Sequence, residues 1–190
     1  MNIARRAQAA PEAAKPLSFL DRILRRPDRR ASLEPLHRAV VALGRDPGWY
    51  REGCVPDTFD GRFDMIAAVT ALALLRLEAE GEAGREPSAL LAEWFVADMD
   101  ASLRQIGIGD YVVGKHVGRM MGALGGRLDA FRSAGSDEDK FAGAVRRNVF
   151  RDAPPSEAAL AWTAARLARL RDGMAGLRVA ELLQGRLPGP

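Results

Sequence analysis

Three aspartates just before the most apolar segment of the chain are the best candidates for acid–base chemistry. Asp57, Asp60 and Asp64 lie in the stretch VPDTFDGRFDM at residues 55–65. Two carboxylates can act as an acid–base pair when their surroundings separate their pKa values. The same residue type also stabilises the positive end of a helix, and Thr58 or Asp60 is a suitable N-cap. Capping explains all three aspartates, so this cluster does not require an enzyme.

A second motif has the spacing of a phosphate-binding loop. It is GDYVVGKH at residues 109–116, in which His116 stands where such a loop has the Ser or Thr that holds magnesium. A phosphate-binding loop also follows a buried strand, whereas the segment before this one has a helical pattern. We therefore do not predict nucleotide binding.

The residues that bind metals or form disulfides are scarce. Cys54 is the single cysteine, and His37 and His116 are the two histidines. One cysteine excludes an internal disulfide and favours a reducing compartment, and we expect neither a metal nor a cofactor. Asp98 and Asp100 point about 200° apart on a helix, so charge pairing is a better role for them than catalysis.

The segment from Met65 to Leu77 predicts the helix at the centre of the core. Only Thr70 and Arg76 are polar in it, so the helix is apolar nearly all round. A helix of this length rises about 20 Å, which is too short for the roughly 30 Å of a bilayer core. The pattern therefore indicates a core helix and excludes a membrane span.

The rest of the chain also has helical periodicity, without strand-like alternation. Pro87 marks the expected start of a helix whose buried stripe is Leu91, Phe95, Met99 and Leu103. The further expected helices are 33–43, 111–132, one opening at Ser136, 156–171 and 174–184. On helix 111–132 we expect a core stripe along the whole helix, formed by Val113, Val117, Met120, Met121, Leu124, Leu128 and Phe131. On helix 156–171 we expect a narrow buried stripe of Leu160, Thr163, Ala164 and Leu167. The opposite side carries Trp162, Arg166 and Arg169, which we expect to form a solvated basic face, with partner or membrane contact as the alternative. The prediction is an all-α protein, a single domain of about seven or eight helices around the helix 65–77.

Glycines recur every four residues along the helix 111–132. They are Gly114, Gly118, Gly122 and Gly126. Each costs the helix roughly 0.5 to 1 kcal/mol, so another helix packing closely on this ridge would offset that loss. We interpret the ridge, edged by Lys115 and Arg119, as a groove for a client helix. The alternatives are an internal helix packed there, or glycines without a role.

The N-terminal segment predicts a basic arm, residues 1–30, that contains a short amphipathic helix from Leu17 to Arg26. Its apolar and cationic residues fall on opposite faces, as on helices that lie on anionic membrane surfaces. The alternative is that this helix docks back on the domain. The predicted membrane-facing residues are Phe19, Leu20, Arg22, Ile23, Leu24, Arg25 and Arg26.

Charge is distributed unevenly along the chain. Residues 1–45 hold 10 basic and 4 acidic residues, whereas residues 46–154 hold 13 basic and 18 acidic residues. An acidic body with basic ends does not resemble a specific nucleic-acid binder, although basic ends are compatible with ribosome association. The arm shows no signal-peptide pattern, so we expect a cytoplasmic protein, peripheral on the inner face of the membrane if the arm binds lipid.

Four blocks of the sequence resemble one family. VPDTFDGRFDM at 55–65, ADMDASLRQIGIGD at 97–110, VGKHVGRM at 113–120 and RRNVFR at 146–151 are similar, in order, to landmarks of the ubiquinol-cytochrome c chaperone family. The resemblance implies a helical, non-enzymatic assembly factor that binds newly made cytochrome b on its way into respiratory complex III. The resemblance covers roughly residues 34–152. We therefore expect three parts: the arm, a family domain at 31–155, and C-terminal helices at 156–190 packed on that domain.

If this chain handles an apolar helical client, three groups of residues are the candidates for partner binding. One group shapes the turn, one sets the break between two long helices, and one provides the glycine ridge and positive charge. These residues are Asp57, Asp60, Arg62, Gly107, Gly109, Asp110, Gly114, Lys115, Gly118, Arg119, Gly122 and Arg147. The alternative function is a membrane-surface or ribosome-associated helical adaptor with a different client.

Overall fold

The computed structural model describes residues 29–105, 110–151 and 153–189, and this part of the chain is helical and contains no strand, as predicted. A 3₁₀ turn, Arg29–Leu33, precedes the first α-helix. The helices are α1 Glu34–Gly44, α2 Gly48–Arg51, α3 Phe59–Glu78, α4 Glu82–Gln105, α5 Asp110–Ala134, α6 Glu138–Val145 with a π-helical turn Arg146–Phe150, α7 Glu157–Ala175 and α8 Val179–Leu183.

Helix α3 lies at the centre of the fold. Every residue from Phe63 to Leu74 is buried, and α1, α4, α5 and α7 all pack against this helix. The Thr70 hydroxyl donates to the Ile66 carbonyl oxygen at 2.8 Å, so the one polar side chain in the middle of the helix is satisfied within it. The predicted central helix is therefore confirmed.

Two aromatic residues after α1 cover the core instead of forming an exposed patch. Trp49 is fully buried and its Nε1 donates to the Leu43 carbonyl oxygen at 2.7 Å. Tyr50 is half-buried and its hydroxyl donates to the Gly44 carbonyl oxygen at 3.0 Å. These two hydrogen bonds attach α2 to the C-terminal end of α1.

Helix α4 begins earlier than the sequence predicted. Its first residue is Glu82, and Pro87 lies inside the helix. The connection from α3 is so tight that a Cβ on Gly84 would lie 1.8 Å from the Leu77 carbonyl oxygen. This close crossing fixes the start of α4, and it overrides the preference of proline for a first turn. The stripe predicted on this helix is buried throughout.

Between residues 114 and 134, helix α5 is buried only toward its C-terminal end. Leu124 and Phe131 belong to the core, but Val117, Met120 and Met121 are only half-buried. The prediction of a core stripe along the whole helix was therefore too broad. The reason is that the first half of α5 lines an open groove beside α4.

Helix α7 packs on the core through Leu160, Thr163, Ala164 and Leu167, as expected. The predicted solvated basic face is wrong for Arg166, which is only 6% exposed. Its guanidinium carbon lies 4.3 Å from the ring centroid of Trp49 and 5.0 Å from that of Trp162, and its Nη2 donates to Asp46 at 2.8 Å. Cation–π contact with two rings explains why an arginine is stable there.

Within the described residues, no helix is long and apolar enough to cross a membrane.

Candidate functional site

The turn before α3 has a shape that only one residue type allows at position 61. Thr58 is the N-cap, and its hydroxyl accepts from the Gly61 amide at 3.1 Å. A Cβ on Gly61 would lie 1.9 Å from the Pro56 carbonyl oxygen, so any side chain would force the chain apart. The turn is therefore fixed by one hydrogen bond and one steric requirement.

An ion pair on the surface of this turn links two of the predicted partner-binding residues. Arg62 Nε donates to Asp57 Oδ1 at 2.6 Å, and this hydrogen bond lowers the pKa of the Asp57 carboxyl. Asp60 lies exposed in the first turn of α3, at the positive end of the helix dipole. Asp57, Asp60 and Arg62 are therefore all exposed at this turn.

A recess of about 670 Å³ opens beside this turn, and we call it the basic-rimmed recess. Phe63, Ile66 and Met99 form its apolar floor and are nearly buried. Phe59 at its edge is 38% exposed, and it is the one large hydrophobic side chain in the described residues with so much exposure. The remaining lining residues are Arg45, Pro47, Tyr50, Arg51, Asp57, Arg62, Ser102 and Gln105.

The arginines give the recess a positive rim. Arg62 is paired with Asp57, and Arg51 Nε lies 3.8 Å from Glu52 Oε1. Within the described residues no ion pair involves Arg45. An apolar floor with cations around it suits a segment that carries both an apolar side chain and a carboxylate.

Asp64 has a different role from the capping role that the sequence predicted. It is 1% exposed, and its Oδ1 accepts from the guanidinium groups of Arg127 on α5 and of Arg151. Burial raises its pKa to about 6, and the two arginines act in the opposite direction. The capping prediction is wrong here because the carboxyl points into the protein, toward an arginine that is itself buried.

Arg127 joins three elements through this buried ion pair. Besides Asp64 on α3, it donates to the Ala123 carbonyl oxygen at 2.9 Å and to the Asn148 carbonyl oxygen at 2.5 Å. Desolvation lowers its own pKa. Asp57 and Asp64 therefore do not form an acid–base pair, because each is ion-paired with different arginines.

The glycine ridge of α5 is open. Gly114, Gly118, Gly122 and Gly126 are exposed, and no described atom lies within 4 Å of a Cβ placed on any of them. No described helix therefore packs on the ridge, which was one of the alternatives. Lys115 and Arg119 are exposed beside it, and Arg119 Nη2 contacts the His116 ring nitrogen Nδ1 at 2.7 Å.

The structure separates some residues that the sequence grouped together. Arg147 lies in a recess with Asp129, Ser133 and Lys140, near the C-terminal end of α5, whereas Lys115 lies near its N-terminal end. Gly107 and Gly109 lie outside the described residues, and Asp110 is the first residue of α5. The predicted membrane-facing residues between Phe19 and Arg26 are also outside the described residues.

Most of the segment that has the spacing of a phosphate-binding loop lies in a helix. From Asp110 onward the phosphate-loop-like segment is part of helix α5, and the element before it is helix α4. Among the described residues no group of three His, Cys, Asp or Glu residues is placed to hold a metal ion.

Sequence reasoning missed Arg45, Phe59 and Arg127. Arg127 carried a usable signal, because it falls three residues after Leu124 and four before Phe131, on the buried side of α5. A charged residue on such a stripe predicts a buried partner. No local sequence pattern indicated that Arg45 and Phe59 line one recess, because their proximity depends on how α1 packs beside α3.

Comparison with known proteins agrees with the fold. The Ubiquinol-cytochrome C chaperone family matches residues 51–187, which includes the turn, nine of the twelve residues that line the recess, α5 and both C-terminal helices. The crystal structure of the Cbp3 homolog from Brucella abortus superimposes with a TM-score of 0.73 at 28% sequence identity, covering 89% of this chain and 95% of that one. A search of curated proteins found no match. The match across most of the chain, together with the shared all-helical fold, shows that this protein belongs to the ubiquinol-cytochrome c chaperone family.

Proposed function

We propose that this protein is a non-enzymatic chaperone that binds newly made cytochrome b and promotes its assembly into respiratory complex III. The basic-rimmed recess is the observation that carries this proposal. It combines an exposed aromatic, Phe59, with an apolar floor and arginines, and nine of its twelve lining residues lie within the part of the chain that matches the family. Such a surface can hold an unassembled apolar segment by contact alone.

Chaperone action requires a difference in affinity between two states of the client. The recess must bind a segment that is exposed in unassembled cytochrome b and covered in the complete complex. In this proposal Phe59 contacts an apolar client side chain, and Arg45 and Arg62 pair with a client carboxylate next to it. No bond is made or broken, so release follows when the client surface is covered by its final partners.

The open glycine ridge is a second contact for the same client in this proposal. Gly118 and Gly122 lie on the exposed side of α5 and leave room for the backbone of a second helix. Lys115 and Arg119 next to them can pair with acidic groups at the client helix surface. The site of action is the cytoplasmic face of the membrane, which the arginine-rich segment 17–26 favours.

A photo-crosslinking amino acid placed at position 59 tests the recess directly. We expect newly made cytochrome b to be trapped from position 59 and not from position 85, which is exposed on α4 outside the recess. The cross-linked product is identified by mass spectrometry in cells that are synthesising the client. Equal trapping from both positions would contradict the assignment of the recess.

A charge reversal in the rim has a close control. Arg62 and Arg85 are both exposed, and each pairs with an acidic residue at 2.6 Å. Surface pairs of this kind contribute about 0 to 1 kcal/mol, so Arg62→Glu and Arg85→Glu should both fold. Only Arg62→Glu should lower cytochrome b capture, by about tenfold, in a pull-down at equal chaperone concentration. Equal capture by the two variants would exclude the rim.

The ridge is tested by Gly118→Leu, with Ser133→Leu on the same helix as its control. Both positions are exposed, so neither variant should unfold the domain. We expect Gly118→Leu to lose client capture, because the leucine fills the space that a client helix would occupy. Full capture by a folded Gly118→Leu variant would remove the ridge from the proposal.

A further inference from the structure

The groove between α4 and α5 has the size and lining to hold a third helix. It measures about 620 Å³, and we call it the α4–α5 groove. The α4 residues that line it are spaced by three and four positions, and so are those of α5, which is the spacing that places side chains along one side of a helix. Its lining residues are Arg30, Ala89, Ala92, Glu93, Val96, Ala97, Asp100, Gly114, Val117 and Met121.

Most of this lining is small or apolar and only partly covered by the described chain. Val96, Ala97 and Val117 are half-buried, and Gly114 is exposed. Two helices that present small residues toward a common space allow a third helix to approach closely. The shape and lining of the groove therefore suit packing against a third helix.

The described chain begins at this groove. Arg30 is one of its lining residues, and the Arg30 carbonyl oxygen accepts from Trp94 Nε1 on α4 at 2.6 Å. The sequence predicts an amphipathic helix at 17–26, so only residues 27–29 separate that helix from Arg30. Four peptide steps span at most about 14 Å, which keeps the helix beside the groove.

The dimensions of the helix and of the groove agree. A helix of residues 17–26 is about 15 Å long, and the α4 wall from Ala89 to Asp100 rises about 16 Å. A short tether gives its segment an effective concentration on the order of millimolar at a neighbouring site. A helix too short to be stable alone can form when it buries one face against such a wall.

The charges of the two partners are complementary. The polar face of segment 17–26 carries Arg22, Arg25 and Arg26, while the groove is edged by Glu93 and Asp100. Glu93 is exposed, and Asp100 already holds Arg104 through an Oδ2–Nε distance of 2.7 Å. The opposite face, with Phe19, Leu20 and Ile23, matches the alanine and valine floor.

We propose that residues 17–26 dock as a helix in the α4–α5 groove of their own chain. The docked arm then covers Gly114 and the neighbouring part of α5. This docking does not depend on what the client is.

Disulfide trapping in the full chain tests this docking. In a Cys54→Ser background, Ile23→Cys is combined with Val96→Cys in the groove, or with Ala158→Cys, an exposed position on α7, as the control. We expect the groove pair to form an intramolecular disulfide at least tenfold faster than the control pair in dilute protein. Equal rates for the two pairs, or a disulfide that links two copies of the chain, would overturn the proposal.

Hydrogen exchange supplies a second readout that needs no cysteines. Phe19→Asp combined with Ile23→Asp should release the arm without altering the helical core, because both residues precede the first described element. We expect amide exchange in residues 89–97 and 114–121 to become faster in this variant, with exchange in α3 unchanged. Unchanged exchange along both groove walls would contradict the docking. Neither measurement involves cytochrome b, so its failure would leave the proposed client function standing.

Discussion

At the scale of single residues, the buried ion pair between Asp64 and Arg127 is the feature on which the fold is most dependent. Both side chains are 2% exposed, so neither charge is compensated by water. Removing one partner of a buried pair is far more destabilising than replacing both with apolar residues, because the remaining charge stays desolvated.

We predict that Asp64→Asn lowers the free energy of unfolding by about 3 to 5 kcal/mol. The control is Asp60→Asn on the same helix, which is exposed and should cost less than about 1 kcal/mol. The double variant Asp64→Leu with Arg127→Met should recover most of the loss, since Arg151 is 41% exposed and remains hydrated. Urea unfolding followed by circular dichroism measures all three, and a double variant as unstable as Asp64→Asn would refute this role.

At the scale of helices, the sequence predicted types and burial better than boundaries. Periodicity identified α3 as the central helix and gave the buried stripes of α4 and α7, because a regular stripe reports directly which face meets the core. It misplaced the start of α4, which is set by contact between Gly84 and the Leu77 carbonyl of the preceding helix. A contact between two helices does not change the hydrophobic periodicity of either helix. It therefore cannot be predicted from that periodicity.

The candidate site was likewise predicted only in part from the sequence. The turn residues Asp57 and Arg62 were identified because capping and turn chemistry are local. The recess itself was not predicted, because its lining comes from α2, α3 and α4, and from the connections between them. The roles of Asp64 and Arg166 were missed for the same reason, since each depends on a partner far away in the sequence.

Two helical glycines offer a matched test of this distinction. Gly61→Ala should destabilise the protein by about 1 to 3 kcal/mol, because its Cβ would collide with the Pro56 carbonyl oxygen. Gly118→Ala should stabilise it by about 0.5 to 1 kcal/mol, because the position is open and alanine is the better helix former. Thermal unfolding of the two variants checks both signs; a destabilised Gly118→Ala variant would mean that this face is covered in the free protein.

At the scale of the whole molecule, the described fold presents two recesses along α4. Met99, Ser102 and Gln105 line the basic-rimmed recess, whereas Val96, Ala97 and Asp100 line the α4–α5 groove. A single helix therefore contributes to a surface proposed for the client and to one proposed for the arm. Because segment 17–26 has one apolar face, docking in the groove and lying on a membrane exclude each other.

We propose that this protein acts in the assembly of complex III by binding cytochrome b. The most direct measurement is the amount of assembled complex III, relative to other respiratory complexes, in cells from which the gene has been deleted. We predict a loss confined to complex III, with unassembled cytochrome b degraded or accumulating, and restoration by the parent gene and by Arg85→Glu but not by Arg62→Glu. Normal amounts of active complex III in the deleted cells would contradict the account.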